Sequence, residues 1–211
     1  SSTRGVFGPR RHTPSPTPHN DNIFDYVTIA STGNATDFGD STILAANNAG
    51  ACSSTRGLRA GGNLNTQPGG ESSNVIDYIT IASTGNATDF GDLSAIKNNS
   101  GGCSTSTKAL FGGGTSNPGS SPYGSLTNSI DTVTIASTGN ATDFGDLSVA
   151  TSARAVSNTT RGVFQESTGS PNSGNTTFVT IASAGNVSTF GDLSAARGTS
   201  GTGSNAHGGV Q

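Results

Sequence analysis

The sequence has little charge, no tryptophan and no methionine, and its apolar runs are short. Charged residues make up 11% of the 211 positions, and the formal net charge is -3. Proteins that neutralise nucleic-acid phosphates carry a basic surplus, and this chain has none. The longest apolar runs are about four residues, too short for a membrane span or the core of a signal peptide. We therefore expect neither nucleic acid nor a membrane as a partner.

The absence of methionine leads us to expect a processed chain or a segment of something longer. Hydrophobic residues reach only 30%, while 31 glycines and many Ser, Thr and Asn residues stand where charged residues usually do. Such residues suit turns and short strands, and few of them favour a helix. Because the net charge is small, disorder is the weaker interpretation. The composition therefore predicts an all-β protein.

Cysteine is also scarce. The two cysteines, Cys52 and Cys103, stand in the similar stretches GACSSTRG and GGCSTSTK. Equivalent positions in successive repeat units are usually one unit width apart, beyond the ~7 Å Cα separation that a disulfide allows. We expect two half-buried thiols that form no disulfide, and they predict neither redox chemistry nor a compartment.

What the sequence does contain is repetition. The segment TIASTGNATDFGD occurs unchanged at 28–40, 80–92 and 134–146, and a fourth copy, TIASAGNVSTFGD, occupies 180–192. The copies begin 52, 54 and 46 residues apart, a period typical of propellers and other repeat arrays. A catalytic site normally occurs once in a chain, so this repetition indicates a structural role for the segment.

Each unit is interpreted as four short strands. In the second unit these are AGACSS, TRGLRAGG, NVIDYITIAS and ATDFGDLS. In the third strand Ile79 and Ile81 alternate with Tyr78 and Thr80, which is the period of two expected of a strand. The glycine and asparagine of STGNA tolerate positive φ and predict a hairpin turn between the third and fourth strands.

The repeated aromatic and acidic residues are interpreted as structural. Four phenylalanines recur at one position of the unit, and we expect all of them to pack in the core between neighbouring sheets; they are Phe38, Phe90, Phe144 and Phe190. Asp37, Asp40 and their copies lack the dense oxygen-ligand loop of a Ca²⁺ site. Turn and strand-end hydrogen bonding is the better interpretation, and no metal site is expected.

These units resemble the kelch repeat of β-propellers. The resemblance is carried by glycine pairs after a short apolar strand, by an aromatic after the turn, and by an arginine that follows it; the glycines are Gly61, Gly62, Gly112 and Gly113, and the arginines are Arg154 and Arg197. Phe stands where kelch repeats carry Trp, and GPR and QES replace the glycine pair in the first and third units. The segment IDYITIASTGNATDFGDLS is also similar to repeats in virion structural proteins of marine bacteriophages, especially those that infect cyanobacteria. The resemblance implies a propeller of four-stranded blades, with four repeats in this chain, either a closed small propeller or an arc of a larger one.

We interpret residues 1–211 as one repeat domain. Its units cover about 8–58, 59–110, 111–164 and 165–211, with an extra copy of the second strand at 1–7. The C-terminal SNAHGGVQ also aligns with the internal SNTTRGVF, so the second strand occurs five times against four copies of the others. Either one terminal copy is displaced, or the chain is an arc completed by more sequence or another subunit.

The units diverge between their second and third strands, at 8–22, 61–74, 112–128 and 165–177. These segments occupy the same place in each unit, so we expect all of them on one face, which suits a display surface. They hold the candidate ligand-binding residues, Arg10, Arg11, His12, His19 and Tyr123. Guanidinium forks suit carboxylate and phosphate, which favours an acidic glycan or lipopolysaccharide as ligand. The alternative is a Pro-rich solvated loop with incidental basic residues.

Enzyme interpretations find little support. No His adjoins a Ser or Cys nucleophile within a repeat, His207 stands alone, and nothing marks one pair of aspartates as acid and base. We expect no catalytic residue and no cofactor. The expected protein is a non-enzymatic virion or extracellular structural protein, such as a tail-fibre component, that presents its loops to a host-surface glycan or another virion protein. The alternative is a fibre module that packs against copies of itself without a ligand; a carbohydrate-active enzyme is the least favoured.

Overall fold

The computed structural model describes residues 3–12, 19–64, 70–117, 124–167 and 174–196. Within these ranges all regular secondary structure is β-strand, and all strand pairs are antiparallel. The all-β prediction is therefore confirmed. The strands begin with β1 (Arg4–Phe7), β2 (Arg11–His12), β3 (His19–Asn20), β4 (Ile23–Thr28), β5 (Thr36–Asp40), β6 (Ala45–Ala46), β7 (Ala49–Cys52), β8 (Arg56–Ala60), β9 (Asn63–Leu64), β10 (Glu71–Ser72) and β11 (Val75–Thr80). They continue with β12 (Thr88–Asp92), β13 (Gly101–Ser104), β14 (Lys108–Gly112), β15 (Thr115–Ser116), β16 (Ser125–Leu126), β17 (Ser129–Thr134), β18 (Thr142–Asp146), β19 (Ser152–Ser157), β20 (Arg161–Ser167), β21 (Asn175–Thr180) and β22 (Ser188–Asp192).

Within the described residues, four main sheets follow one another along the chain. Sheet 1 has the order β1-β4-β5, sheet 2 β7-β8-β11-β12, sheet 3 β13-β14-β17-β18 and sheet 4 β19-β20-β21-β22. The four strands predicted for the second unit are all present and neighbour each other in the predicted order. Sheet 1 has three strands among the described residues, and β1 takes the place of a second strand. Smaller pairings, β2-β3, β6-β9-β10 and β15-β16, lie in the connections.

The third strand behaves as its alternation predicts. Ile79 and Ile81 are buried, whereas Tyr78 is partly exposed and Thr80 is exposed. The STGNA turns connect the third and fourth strands, as expected. No helix in the described ranges has the length and apolar character needed to cross a membrane.

Each of the four main sheets carries the same irregularity between its last two strands. In sheet 2, Ile76 lies opposite Gly91 and Asp77 lies opposite Asp89, so Phe90 is an extra residue in the edge strand. The same register shift occurs in the other three sheets. This is a β-bulge, which bends an edge strand and interrupts its pairing. The repeated TDFGD segment is therefore an edge strand with a built-in bulge at its Phe.

The hydrophobic core lies between successive sheets, and one cluster joins Leu58 and Phe90 of sheet 2 to Phe111 of sheet 3. Three of the four repeated phenylalanines are buried as predicted, each 2% exposed; they are Phe38, Phe90 and Phe144. Phe190 is 57% exposed, so the predicted core position is wrong for this copy. The reason is that no further sheet follows sheet 4 in the part of the chain that the structure describes.

Neither cysteine forms a disulfide, as predicted. Their positions are not equivalent, however: Cys52 pairs with Gly57, the second residue of its neighbouring strand, whereas Cys103 pairs with Leu110, the third. An offset of one residue puts side chains on opposite faces of a strand. Cys52 is half-buried as expected, but Cys103 is fully buried, and burial raises the pKa of its thiol to about 12.

Candidate functional surfaces: the connecting loops and the ends of the array

The first connecting segment forms a small hairpin that carries most of the predicted binding residues. Arg11 pairs with Asn20, and His12 pairs with His19 across the two short strands. Arg10 directly precedes this hairpin. Four of the five predicted residues are therefore close together along one hairpin, although for His12 and His19 only the backbone is described. Tyr123 lies outside the described residues.

The two arginines of this hairpin are exposed. The Arg10 backbone N–H donates to Asp21 Oδ1 at 2.9 Å, and its Nε lies 3.8 Å from Asp21 Oδ2. Because 75% of the Arg10 side chain is accessible, this surface ion pair stabilises little and leaves the guanidinium available to an anion. Arg11 is exposed as well. The hairpin therefore presents two cations beside one partly neutralising carboxylate.

The connecting segments of the first three sheets touch one another. Asn20 Nδ2 donates to Asn63 O at 2.6 Å, which joins the first segment to the second. Ser72 N donates to Asn117 O at 2.7 Å, which joins the second to the third. Residues 168–173 of the fourth segment lie outside the described residues. Three of the four divergent segments thus adjoin each other along one side of the array.

A shallow cleft lies where the first strands of sheets 2, 3 and 4 run side by side. It is lined by residues 47–50 and 99–102, which are uncharged, together with Ala155 and the charged Arg154. The Arg154 guanidinium donates to Ala153 O at 2.8 Å. No group of three or more His, Cys, Asp or Glu residues in the described ranges is arranged to hold a metal ion.

The repeated segment builds the junction between successive sheets. Between sheets 2 and 3, Gly139 N donates to Phe90 O and Ala141 N donates to Asp92 O, both at 2.7 Å. The Asn140 side chain adds a third bond, because its Oδ1 accepts a hydrogen bond from Asp92 N at 3.1 Å. The hairpin turn of one copy therefore binds the bulged edge strand of the preceding copy.

The same three bonds recur at the other two junctions. They join Gly85 to Phe38, Ala87 to Asp40 and Asp40 to Asn86 between sheets 1 and 2, and Gly185 to Phe144, Val187 to Asp146 and Asp146 to Asn186 between sheets 3 and 4. Both halves of each junction lie within the same thirteen residues. The repeated segment therefore carries both parts of a junction, the turn with its asparagine and the bulged edge strand, so each copy binds the copy before it.

A cation from the second strand crosses each junction as well. Arg4 Nη1 donates to Ile81 O and Arg56 Nη1 to Ile135 O, both at 2.9 Å, and Lys108 Nζ donates to Ala182 O at 3.3 Å. The Arg56 guanidinium also lies 4.5 Å from the centre of the Tyr78 ring, which meets Phe90 edge-on. Such cation–π and edge-to-face contacts each stabilise by roughly 0.5–1.5 kcal/mol.

A buried carboxylate forms the third contact between sheets. Asp77 of sheet 2 accepts hydrogen bonds from the Thr42 N–H at 2.9 Å and the Thr42 hydroxyl at 2.8 Å, just after sheet 1 ends. The buried Arg59 binds the same carboxylate through two nitrogens, at 2.9 and 2.7 Å. In sheet 3, Asp131 pairs with Ser94 and with the buried Lys97, whose Nζ lies 2.8 Å from its Oδ2.

Sheet 4 achieves the same contact with different residues. Thr177 stands where the other sheets have aspartate, and its hydroxyl donates to Glu166 Oε1 at 2.7 Å. Glu166 is buried and accepts from both the backbone N–H and the hydroxyl of Ser148, just after sheet 3. A carboxylate thus caps the end of the preceding sheet at all three junctions.

The sequence interpretation identified the STGNA turn but missed that its asparagine side chain crosses to the neighbouring sheet. The available signal was the repetition of the turn and TDFGD as one block, which indicates that the two depend on each other. Comparison with models of known protein families and with curated proteins finds no match to the chain.

Proposed function

We propose that the chain is a non-enzymatic structural protein of a virion or another extracellular assembly. Its four sheets would be successive blades of a kelch-like β-propeller, either a small ring or an arc of a larger one. The divergent connecting segments would form its recognition surface, with an acidic glycan or lipopolysaccharide of a host surface, or another virion protein, as the partner.

One observation carries this proposal: the connecting segments adjoin each other, while the framework below them is nearly constant. The bonds from Asn20 to Asn63 and from Ser72 to Asn117 join three segments of different sequence into one surface. A repeated framework that holds dissimilar loops side by side suits recognition of a large, shaped partner. The exposed guanidinium groups of Arg10 and Arg11 favour an anionic ligand on this surface.

Binding to an array of acidic and neutral glycans tests the proposal. We expect the chain to bind a subset of acidic glycans, and the double variant Arg10→Ala, Arg11→Ala to lose at least tenfold in affinity. The charge-preserving variant Arg10→Lys, Arg11→Lys is the matched control, because it keeps the charge and removes the fork. Binding that is unchanged in the alanine variant, or turnover of an oligosaccharide, contradicts the proposal.

A second candidate is a self-assembling fibre module with no ligand. The observation that favours it is the state of the two ends of the array, where sheets 1 and 4 carry large exposed apolar side chains, Ile29 and Phe190. Absence of binding to any glycan, together with polymerisation, supports this candidate over the first.

A further inference from the structure

The two ends of the array differ from its interior in the same residues that form the junctions. Ile29 of sheet 1 is 56% exposed, whereas its three counterparts are at most 6% exposed; these are Ile81, Ile135 and Ile181. Phe7 of β1 is 58% exposed, whereas its counterparts Phe111 and Phe164 are fully buried. At the other end, Phe190 is exposed while its counterparts are buried. In the interior of the array, an adjacent sheet covers each of the counterpart side chains.

These residues define one surface at each end of the array. The leading face of sheet 1 consists of Phe7, Ile29 and the turn residues Gly33, Asn34 and Ala35. The trailing face of sheet 4 consists of Arg161, Phe190, Gly191 and Asp192.

From these faces we infer that two copies of this chain bind each other head to tail. The leading face of one copy docks on the trailing face of another and forms a fourth junction of the same kind as the three internal ones. The expected bonds run from Gly33 N to Phe190 O, from Ala35 N to Asp192 O, from Asp192 N to Asn34 Oδ1 and from Arg161 to Ile29 O. This inference does not depend on what the connecting loops bind.

The trailing face has the same geometry as the sheet faces that bind a turn at the internal junctions. Sheet 4 contains the bulge of the other sheets, with the register shift between Thr176 and Thr177. The Arg161 guanidinium lies 4.6 Å from the centre of the Phe178 ring, and that ring meets Phe190 edge-on at 6.1 Å. The arrangement repeats that of Arg56, Tyr78 and Phe90 at an internal junction.

The bulge glycine gives the clearest comparison between an occupied and an open junction. A Cβ atom placed on Gly91 would lie 2.6 Å from Gly139 O, because the turn of sheet 3 presses against the backbone there. A Cβ atom placed on Gly191 meets nothing within 4 Å. The backbone conformation is nevertheless the same, with φ of 140° at Gly91 and 150° at Gly191. Sheet 4 therefore keeps the φ that this glycine has at an occupied junction, and among the described residues nothing fills the space beside it.

The sequence at the two ends retains what a junction needs. The fourth copy differs from the first three at Ala184, Val187, Ser188 and Thr189, yet Phe190, Gly191 and Asp192 are unchanged. The first copy retains Gly33 and Asn34, although no sheet precedes it in the described part of the chain. The leading face carries the turn half of a junction, and the trailing face carries the edge-strand half. A second copy of this chain therefore supplies the half that each end lacks.

A contact of this kind is heterologous, and it closes into a ring of copies or continues as a filament. Sedimentation velocity of the 211-residue chain over a hundredfold range of concentration tests it. We expect dimers and larger species that increase with concentration. Monomer throughout that range overturns the inference, because it means that the ends stay open or close on each other within one chain.

Two variants locate the contact. Ile29→Glu and Phe190→Glu each place a charge on one face, and neither removes a buried side chain, so both are expected to fold and to remain monomeric. Leu44→Glu is the matched control, because Leu44 is 55% exposed in the connection between sheets 1 and 2 and belongs to neither face. This variant should associate like the unmodified chain.

Mixing the two variants gives a sharper result. Ile29→Glu retains an intact trailing face and Phe190→Glu an intact leading face, so the mixture should form heterodimers and nothing larger. Association that survives in both single variants, or is lost equally in Leu44→Glu, overturns the assignment of the faces. If either variant fails to fold, the mass of the unmodified chain still decides.

Discussion

Asn86 Oδ1 accepts a hydrogen bond from the backbone N–H of Asp40, 46 residues earlier in the chain, at 3.0 Å. The bond joins the hairpin turn of sheet 2 to the edge strand of sheet 1, and its equivalents join the later sheets. Each sheet contacts its neighbours through such junctions, as in other repeat proteins, where stability is roughly a sum of unit and interface contributions. Substitutions at equivalent positions of different copies are therefore natural controls for one another.

Asn140→Ala should destabilise the chain, because it removes the side-chain acceptor for Asp92 N. The expected loss in the free energy of unfolding is about 1 kcal/mol, the typical contribution of one hydrogen bond. Asn34→Ala removes the same side chain from the turn of the first sheet, which has no preceding sheet among the described residues, and it should have no effect in dilute solution. Urea denaturation measures both; equal losses would mean that the asparagine acts within its own turn.

Phe144→Ala and Phe190→Ala should differ strongly although the two residues share the local sequence TFGD or DFGD. Phe144 is 2% exposed in the core between sheets 3 and 4, so its truncation should lower the free energy of unfolding by about 3–5 kcal/mol. Phe190 is already exposed, and its truncation should change the free energy by no more than about 0.5 kcal/mol. Thermal or urea unfolding of the monomer distinguishes them, and similar losses contradict the end position of sheet 4.

Arg59→Met should leave the buried Asp77 carboxylate without its cationic partner. Both side chains are at most 3% exposed, and breaking a buried pair from one side typically destabilises by about 3–5 kcal/mol. Replacing both, as Arg59→Met with Asp77→Asn, should destabilise less than the two single changes combined. A double-mutant cycle measured by urea unfolding gives the coupling, and strict additivity contradicts it.

Cys103 should make stability depend on pH in the alkaline range. Burial raises the pKa of its thiol from 9.0 to about 12, so the folded state holds this proton more tightly than the unfolded state does. The contribution of the buried thiol to the free energy of unfolding is fully present below pH 9.0 and is lost as the pH rises toward 12. The free energy of unfolding falls by about 1.4 kcal/mol per pH unit in this range. Unfolding of Cys103→Ala at about pH 8 and about pH 10 should lack this slope, whereas Cys52→Ala should retain it.

Much of the fold was predictable from local pattern. The alternation of Ile79 and Ile81 with Tyr78 and Thr80 identified the third strand and its buried face. Glycine and asparagine in STGNA identified the turn, although φ is positive only at the glycine, in sheets 2, 3 and 4, and not at the asparagine. The offset between the cysteines was misjudged, since the similar letters around them hide a shift of one residue that only the strand pairing reveals.

The candidate surfaces were predictable only in part. The divergence of the connecting segments indicated where the units vary, and Arg10 and Arg11 are exposed on the first of them. The bonds that join one segment to the next, such as Asn20 to Asn63, link positions 43 residues apart. No local pattern encodes such a contact, because it depends on how two sheets lie against each other.

The sequence by itself determined the all-β class, the four-strand unit and the turn, because these depend on side-chain alternation and backbone freedom within a few residues. Only the tertiary structure decided which copy of each residue is buried. Phe144 and Phe190 are both followed by Gly and Asp, yet one lies in the core and the other in solvent. Burial is set by whether another sheet follows, which is a property of the array and not of the segment.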